Sequence, residues 1–72
     1  FTLDLAGTIV RDNTANEGGG AIFFVSNDRT GELRIATSTL ERNPSLGFET
    51  LPGIFVLAAP GQPVISNSSI TR

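Results

Sequence analysis

Cysteine, histidine, lysine, methionine, tryptophan and tyrosine are all missing from this 72-residue sequence. Without cysteine there is neither a disulfide nor a thiolate metal site. Without histidine the commonest neutral metal ligand and the side chain that titrates near neutrality are gone. No metal or cofactor is therefore expected. All five basic residues are arginines, and the formal net charge is −2. A nucleic-acid surface needs clustered cations, so nucleic acid is excluded as a partner. The absence of methionine means that Phe1 is not a translation start. The chain is expected to be an excerpt, a processed product or a subunit of an assembly.

Long apolar runs are also missing. The longest, Ile54 to Ala59, falls far short of the roughly 20 residues a membrane-spanning helix requires. Helices of any kind are disfavoured. Pro44, Pro52, Pro60 and Pro63 interrupt the second half, and Gly18, Gly19 and Gly20 the first. Between these breakers lie Thr, Ser, Val, Ile and Phe, the composition of short strands joined by turns. The alternation in Thr2-Leu3-Asp4-Leu5 and in Leu33-Arg34-Ile35 agrees. The expected class is all-β.

The chain repeats itself at an interval of about 30 residues. At that shift Leu3 meets Leu33; Leu5 meets Ile35 and Ile65; Thr8 meets Ser38 and Ser68; Val10 meets Leu40 and Ile70; and Asn13 meets Asn43. The second strand region slips by two, so that Ala21-Ile22-Phe23-Phe24-Val25 best matches Gly53-Ile54-Phe55-Val56-Leu57, and the slip closes before Gly61. If the repeats stack, equivalent residues lie about 4.8 Å apart. Asp4 then faces Arg34, Arg11 faces Glu41 and Asp12 faces Arg42. Every such pair is of opposite sign, as a stacked sheet requires. The spacing predicts inner stacks of Leu5, Ile35 and Ile65 and of Val10, Leu40 and Ile70. Arg11 and Asp12 can both lie outside only if the strand ends and bends at about position 11, because neighbours in a strand face opposite ways.

The segment Asn16 to Asp28, NEGGGAIFFVSND, sets three glycines directly before a strongly β-prone run. A phosphate-binding loop fails on detail. GxGxxG counted from Gly18 puts Phe23 where a glycine is needed, and a P-loop needs a lysine. A sharp corner between strands, with close backbone approach, is the expected role.

Gly19-Gly20-Ala21-Ile22, together with the apolar-x-x-Asn segments Val10 to Asn13 and Leu40 to Asn43, resembles the GGAI and FxxN repeats of polymorphic outer-membrane proteins. The stretch TIVRDNTANEGGGAIFF is similar to coils of bacterial surface proteins with right-handed parallel β-helices. Ile65 to Thr71, ISNSSIT, looks like coils of filamentous haemagglutinin-type adhesins. The resemblance implies a right-handed parallel β-helix of about two and a half coils, 1–30, 31–60 and 61–72, forming one segment of a larger assembly or longer chain. It implies an exported extracellular or cell-surface bacterial protein with a structural or adhesive role. It implies carbohydrate or a cell surface as a partner, and the family motifs carry no catalytic residues. A chain without cysteine suits such a protein. With only about two and a half coils and no polar cap evident in the sequence, further coils or another subunit are expected at the open ends.

Some β-helices are polysaccharide lyases or hydrolases. A fragment of such an enzyme is the alternative, with Asp12, Glu17, Glu41 and Glu49 as candidate carboxylates. Glu17 and Glu49 both precede the GGAI-like strands and could face one another across the distance that glycoside hydrolysis uses. So short a stack cannot build a substrate groove, however, and no nucleophile triad is available, so no catalytic site is expected. Asn13 and Asn43 could touch sugar, but stacked asparagines at a corner form hydrogen-bonded ladders. The Thr8/Ser38/Ser68 column is too mixed for an ice-binding array. Asn67-Ser68-Ser69 has the pattern of a glycosylation sequon, which a bacterial source would leave silent.

Overall fold

The computed structural model describes all residues from Phe1 to Arg72 and contains eight strands and no helix. The strands are β1 (Thr2–Ala6), β2 (Ile9–Arg11), β3 (Ile22–Val25), β4 (Glu32–Ala36), β5 (Thr39–Glu41), β6 (Ile54–Leu57), β7 (Val64–Ser66) and β8 (Ser69–Ile70). They form three sheets, ordered β1-β4-β7, β2-β5-β8 and β3-β6, and every pairing between them is parallel. The chain thus visits the first, second and third sheets in turn before returning to the first.

The expected register is the observed one. Leu3 pairs with Leu33, Leu5 with Ile35 and Ile35 with Ile65. Val10 pairs with Leu40 and Leu40 with Ile70. In the third sheet Ile22 faces Ile54 and Phe23 faces Phe55, two residues further along than in the other sheets. The two extra residues are taken up in the turn Leu51-Pro52-Gly53-Ile54. There Gly53 has φ +76° and the Ile54 N–H donates to the Leu51 carbonyl. Proline followed by a residue of positive φ is the signature of a type II turn. Between paired positions, the stretch from Leu57 to Val64 is two residues shorter than that from Val25 to Arg34, which restores the register.

The corners explain the glycine triplet. Gly19 has φ +79°, and a Cβ on Gly20 would sit 2.3 Å from the Asn43 carbonyl oxygen of the next repeat. Glycine is needed at the first for its dihedral and at the second for its closeness. The strand also bends where the charges require it. β2 ends at Arg11, and Asp12 and its equivalent Arg42 take φ of +59° and +55°.

The core lies between the sheets and is concentrated in the middle repeat. Leu33, Ile35 and Leu40 are 0%, 1% and 0% exposed, whereas Leu3 and Ile65 in the flanking repeats are 40% and 38% exposed. Phe24 and Ile54 complete the buried cluster, with Leu5, Val10, Ile22, Leu51, Val56 and Ile70 packed against it. In the first two sheets Ile35 and Leu40 have equivalents on both sides and are sealed, whereas in the two-stranded third sheet Phe24 is covered on its free side by Phe1, whose ring lies 5.1 Å away. This gradient yields a direct expectation. Leu40→Ala should cost about 2–5 kcal/mol, the range for truncating a buried leucine, and Ile70→Ala in the same column clearly less. Denaturant unfolding of the two variants checks it.

Candidate functional site

Two polar columns run through the stack where the chain turns. At the first, the Ser38 hydroxyl donates to the Ala36 carbonyl (2.8 Å) and accepts the Thr8 N–H (3.2 Å). The Ser68 hydroxyl repeats this, donating to Ser66 and accepting the Ser38 N–H at 3.0 Å. These hydroxyls replace ladder bonds that the turning backbone cannot make. At the second, the Asn43 side-chain amide donates to the Val10 carbonyl (3.0 Å). Its oxygen accepts both the backbone N–H of Asn13 (3.2 Å) and the Asn13 side-chain N–H (3.0 Å). Asn43 is 2% exposed and every polar atom of it that is buried has a partner. The asparagines therefore form a ladder, and Asn43 has no free group for a sugar.

Two of the candidate carboxylates, Asp12 and Glu41, meet at Arg42. Asp12 accepts two hydrogen bonds from the Arg42 guanidinium, at 2.6 and 3.2 Å. Those bonds hold its carboxyl below the usual aspartate value, the charges of Arg42 and Arg11 adding to the effect. Arg42 also reaches Glu41, at 3.4 Å. Arg11 stays on the outside as expected, but its guanidinium turns to Asp12, 3.8 Å away, rather than to Glu41. The backbone at Asp12 explains this, since the positive φ swings its carboxylate between the two arginines. Asp4 and Arg34 lie 3.8 Å apart, and Arg34 is held more closely by Glu32 at 2.6 Å.

Glu17 and Glu49 share no hydrogen-bonding or ion-pair partner. Glu17 is exposed and engages no hydrogen bond or ion pair. The Glu49 side chain is only 7% exposed. It accepts the Gly53 N–H (3.0 Å) and the Ser45 hydroxyl (3.1 Å), and Arg72 lies 3.2 Å away. A hydrolytic pair needs one carboxyl that readily carries a proton, and Asp12 is shifted the other way. One surface concavity exists, of about 260 Å³, open and lined by Thr14, Ala15, Asn16, Pro44, Ser45 and Leu46. None of its lining residues is ionisable. No group of metal-ligating side chains is assembled anywhere on the chain.

Two features do not follow from the repeat. Ser26, 1% exposed, accepts the Gly31 N–H (2.9 Å) and donates to Asp28 (3.0 Å). Asp28 also accepts the Thr30 hydroxyl (2.8 Å) and N–H (3.2 Å), and these bonds, Thr30 first, lower its pKa. Ser-x-Asp-x-Thr is the kind of spacing that closes side chains onto a turn, and it was the available signal. The second is an aromatic strip on the outer face of the third sheet. Phe23 and Phe55 stack with ring centres 4.9 Å apart, and Phe48 meets Phe55 edge-on at 6.1 Å. Phe23 and Phe48 are 61% and 74% exposed. The residues of this strip were visible in the sequence, but the partner Phe48, from a loop, was not.

Comparison with known proteins finds no matching family model, no similar curated protein and no similar solved structure.

Two outcomes follow from this geometry. Asn43→Ala strands the Val10 carbonyl and the Asn13 N–H, and should cost about 1–3 kcal/mol; Asn13→Ala, at the exposed end of the ladder, should cost less. Unfolding curves of both variants measure this. For pH, Asp12 and Asp28 have folded-state pKa values below the unfolded value of 3.8. Their contribution is complete above about that value and is lost as pH falls through the lowered folded values. Stability should therefore fall in acid below about pH 4, and Asp12→Asn should make that acid limb shallower in a series of melting curves.

Proposed function

We propose that the chain is a segment of a right-handed parallel β-helix that serves a structural or adhesive role on an exported bacterial surface protein. The observation that carries this reading is the parallel register of about 30 residues, held in the first two sheets over three successive passes. Stacked asparagines and hydroxyls at the corners support it, as does the likeness of GGAI and apolar-x-x-Asn to surface-protein coils. In such a segment the stack is a rigid scaffold, and binding resides on its outer faces and loops. The Phe23/Phe55/Phe48 strip, with Leu46 beside the concavity, supplies an outward apolar face for adhesion. The candidate carboxylates are engaged with arginines or backbone, or stand alone, which favours a binding role over hydrolysis.

A stack this short leaves apolar columns uncovered in its flanking repeats, notably at Leu3 and Ile65. Further coils or another subunit cover them in the working assembly. Denaturation of the 72-residue chain over a range of concentrations tests this. The midpoint should rise with concentration, because association supplies the missing cover. A cooperative monomer with a constant midpoint from micromolar to hundreds of micromolar counts against it. Binding to a glycan array without cleavage of the bound polysaccharide supports adhesion; cleavage revives the enzyme alternative.

A further inference from the structure

The third sheet contains two strands where the others contain three, so β6 is its last strand. A last strand should be uncovered, as Leu3 and Ile65 are at the margins of the first sheet. Ile54 is instead 0% exposed. Its cover comes from the residues just before it. The N–H groups of Thr50 and Leu51 donate to the Ile54 carbonyl (2.8 and 3.1 Å), and the Ile54 N–H donates to the Leu51 carbonyl (2.9 Å). The Val56 N–H, next on the same side of the strand, donates to the Thr50 hydroxyl at 3.1 Å. Leu51 and Ile54 form an antiparallel bridge, and the Leu51 side chain packs on the core cluster. The groups of Ile54 and the N–H of Val56, which an added strand would use, are thus already occupied.

The turn is also fastened from outside. Glu49 holds the Gly53 N–H and the Ser45 hydroxyl, and Arg72 pairs with Glu49. The two residues that break the register, Leu51 and Pro52, are what give the turn the length to fold back.

We propose that Thr50 to Gly53 form a built-in edge cap that prevents a further strand from joining the third sheet beyond β6. Exposed strand edges invite pairing, and proteins cover them with loops. The cap makes the third sheet one-sided: β3, with the free face of Phe23, is its open edge, and β6 is closed. This inference stands on the hydrogen bonds of the turn and does not depend on a surface-protein role.

Two variants of the 72-residue chain test it. Deleting Leu51 and Pro52 removes the fold-back and should lower the concentration at which the chain self-associates in sedimentation at least tenfold. Thr50→Val removes the acceptor of the Val56 N–H while keeping a branched side chain. It should speed amide exchange at Val56 at least tenfold, with the Phe24 amide unchanged. If the deletion variant is folded by circular dichroism and associates at the parent's concentration, the cap does not control strand addition and the proposal is overturned. If that variant does not fold, Thr50→Val decides. Unchanged exchange at Val56 overturns the proposal, and faster exchange with association at lower concentration upholds it; faster exchange with unchanged association overturns it.

Discussion

In the first two sheets of this protein an inward side chain is sealed by its own equivalents one repeat away, and much of the structure follows from that dependence. In a two-layer domain a core residue is covered by a different element with its own sequence. Here Ile35 lies between Leu5 and Ile65, and Leu40 between Val10 and Ile70. Burial therefore depends on position in the stack as well as on side-chain type. It is complete at Leu33, Ile35 and Leu40 and incomplete in the same columns on either side. A chain without cysteine, and with so few sealed residues, draws its stability from the number of repeats that are in contact.

The same dependence governs the polar groups. A parallel ladder serves straight strands, but the chain must turn between sheets, and buried backbone groups at the turns still need partners. The hydroxyls of Ser38 and Ser68 and the amide of Asn43 supply them, each reaching to the equivalent residue of the neighbouring repeat. Outside the corners, opposite charges occupy neighbouring levels, Asp12 with Arg42 and Asp4 with Arg34. These pairs are exposed, and each adds little stability. Their main effect is on register, since a slip would set like charges or apolar and charged residues in one column.

For function, the arrangement separates scaffold from surface. The residues most conspicuous as chemistry in the sequence, the asparagines and most of the carboxylates, are consumed in holding the stack together. The surface instead offers the apolar strip of Phe23, Phe55 and Phe48, one shallow concavity, and two margins of differing character. The margin at β3 is open. The margin at β6 is folded over by Thr50 and Leu51. An adhesive or structural segment whose third sheet is extended from one side only, and which exposes its outer face, is consistent with such a division.

The period was legible because each residue must match the one stacked on it: Leu with Leu or Ile, Thr with Ser, Asn with Asn, acid with base. Strand positions, parallel pairing, the slip at Ile22 and Ile54, and the bend at Asp12 all follow from that matching in the sequence alone. The tertiary structure decided what depends on direction and distance. Whether Arg11 turned to Glu41 or to Asp12 depended on the backbone dihedral at Asp12. Whether Glu49 stood free or became bound depended on the turn of Leu51 to Ile54, whose Gly53 N–H it accepts. In the sequence that turn is only a two-residue irregularity in a repeat. Its role at the edge of β6 arises because a chain folding back on itself brings donors and acceptors to groups that no periodic neighbour could have reached.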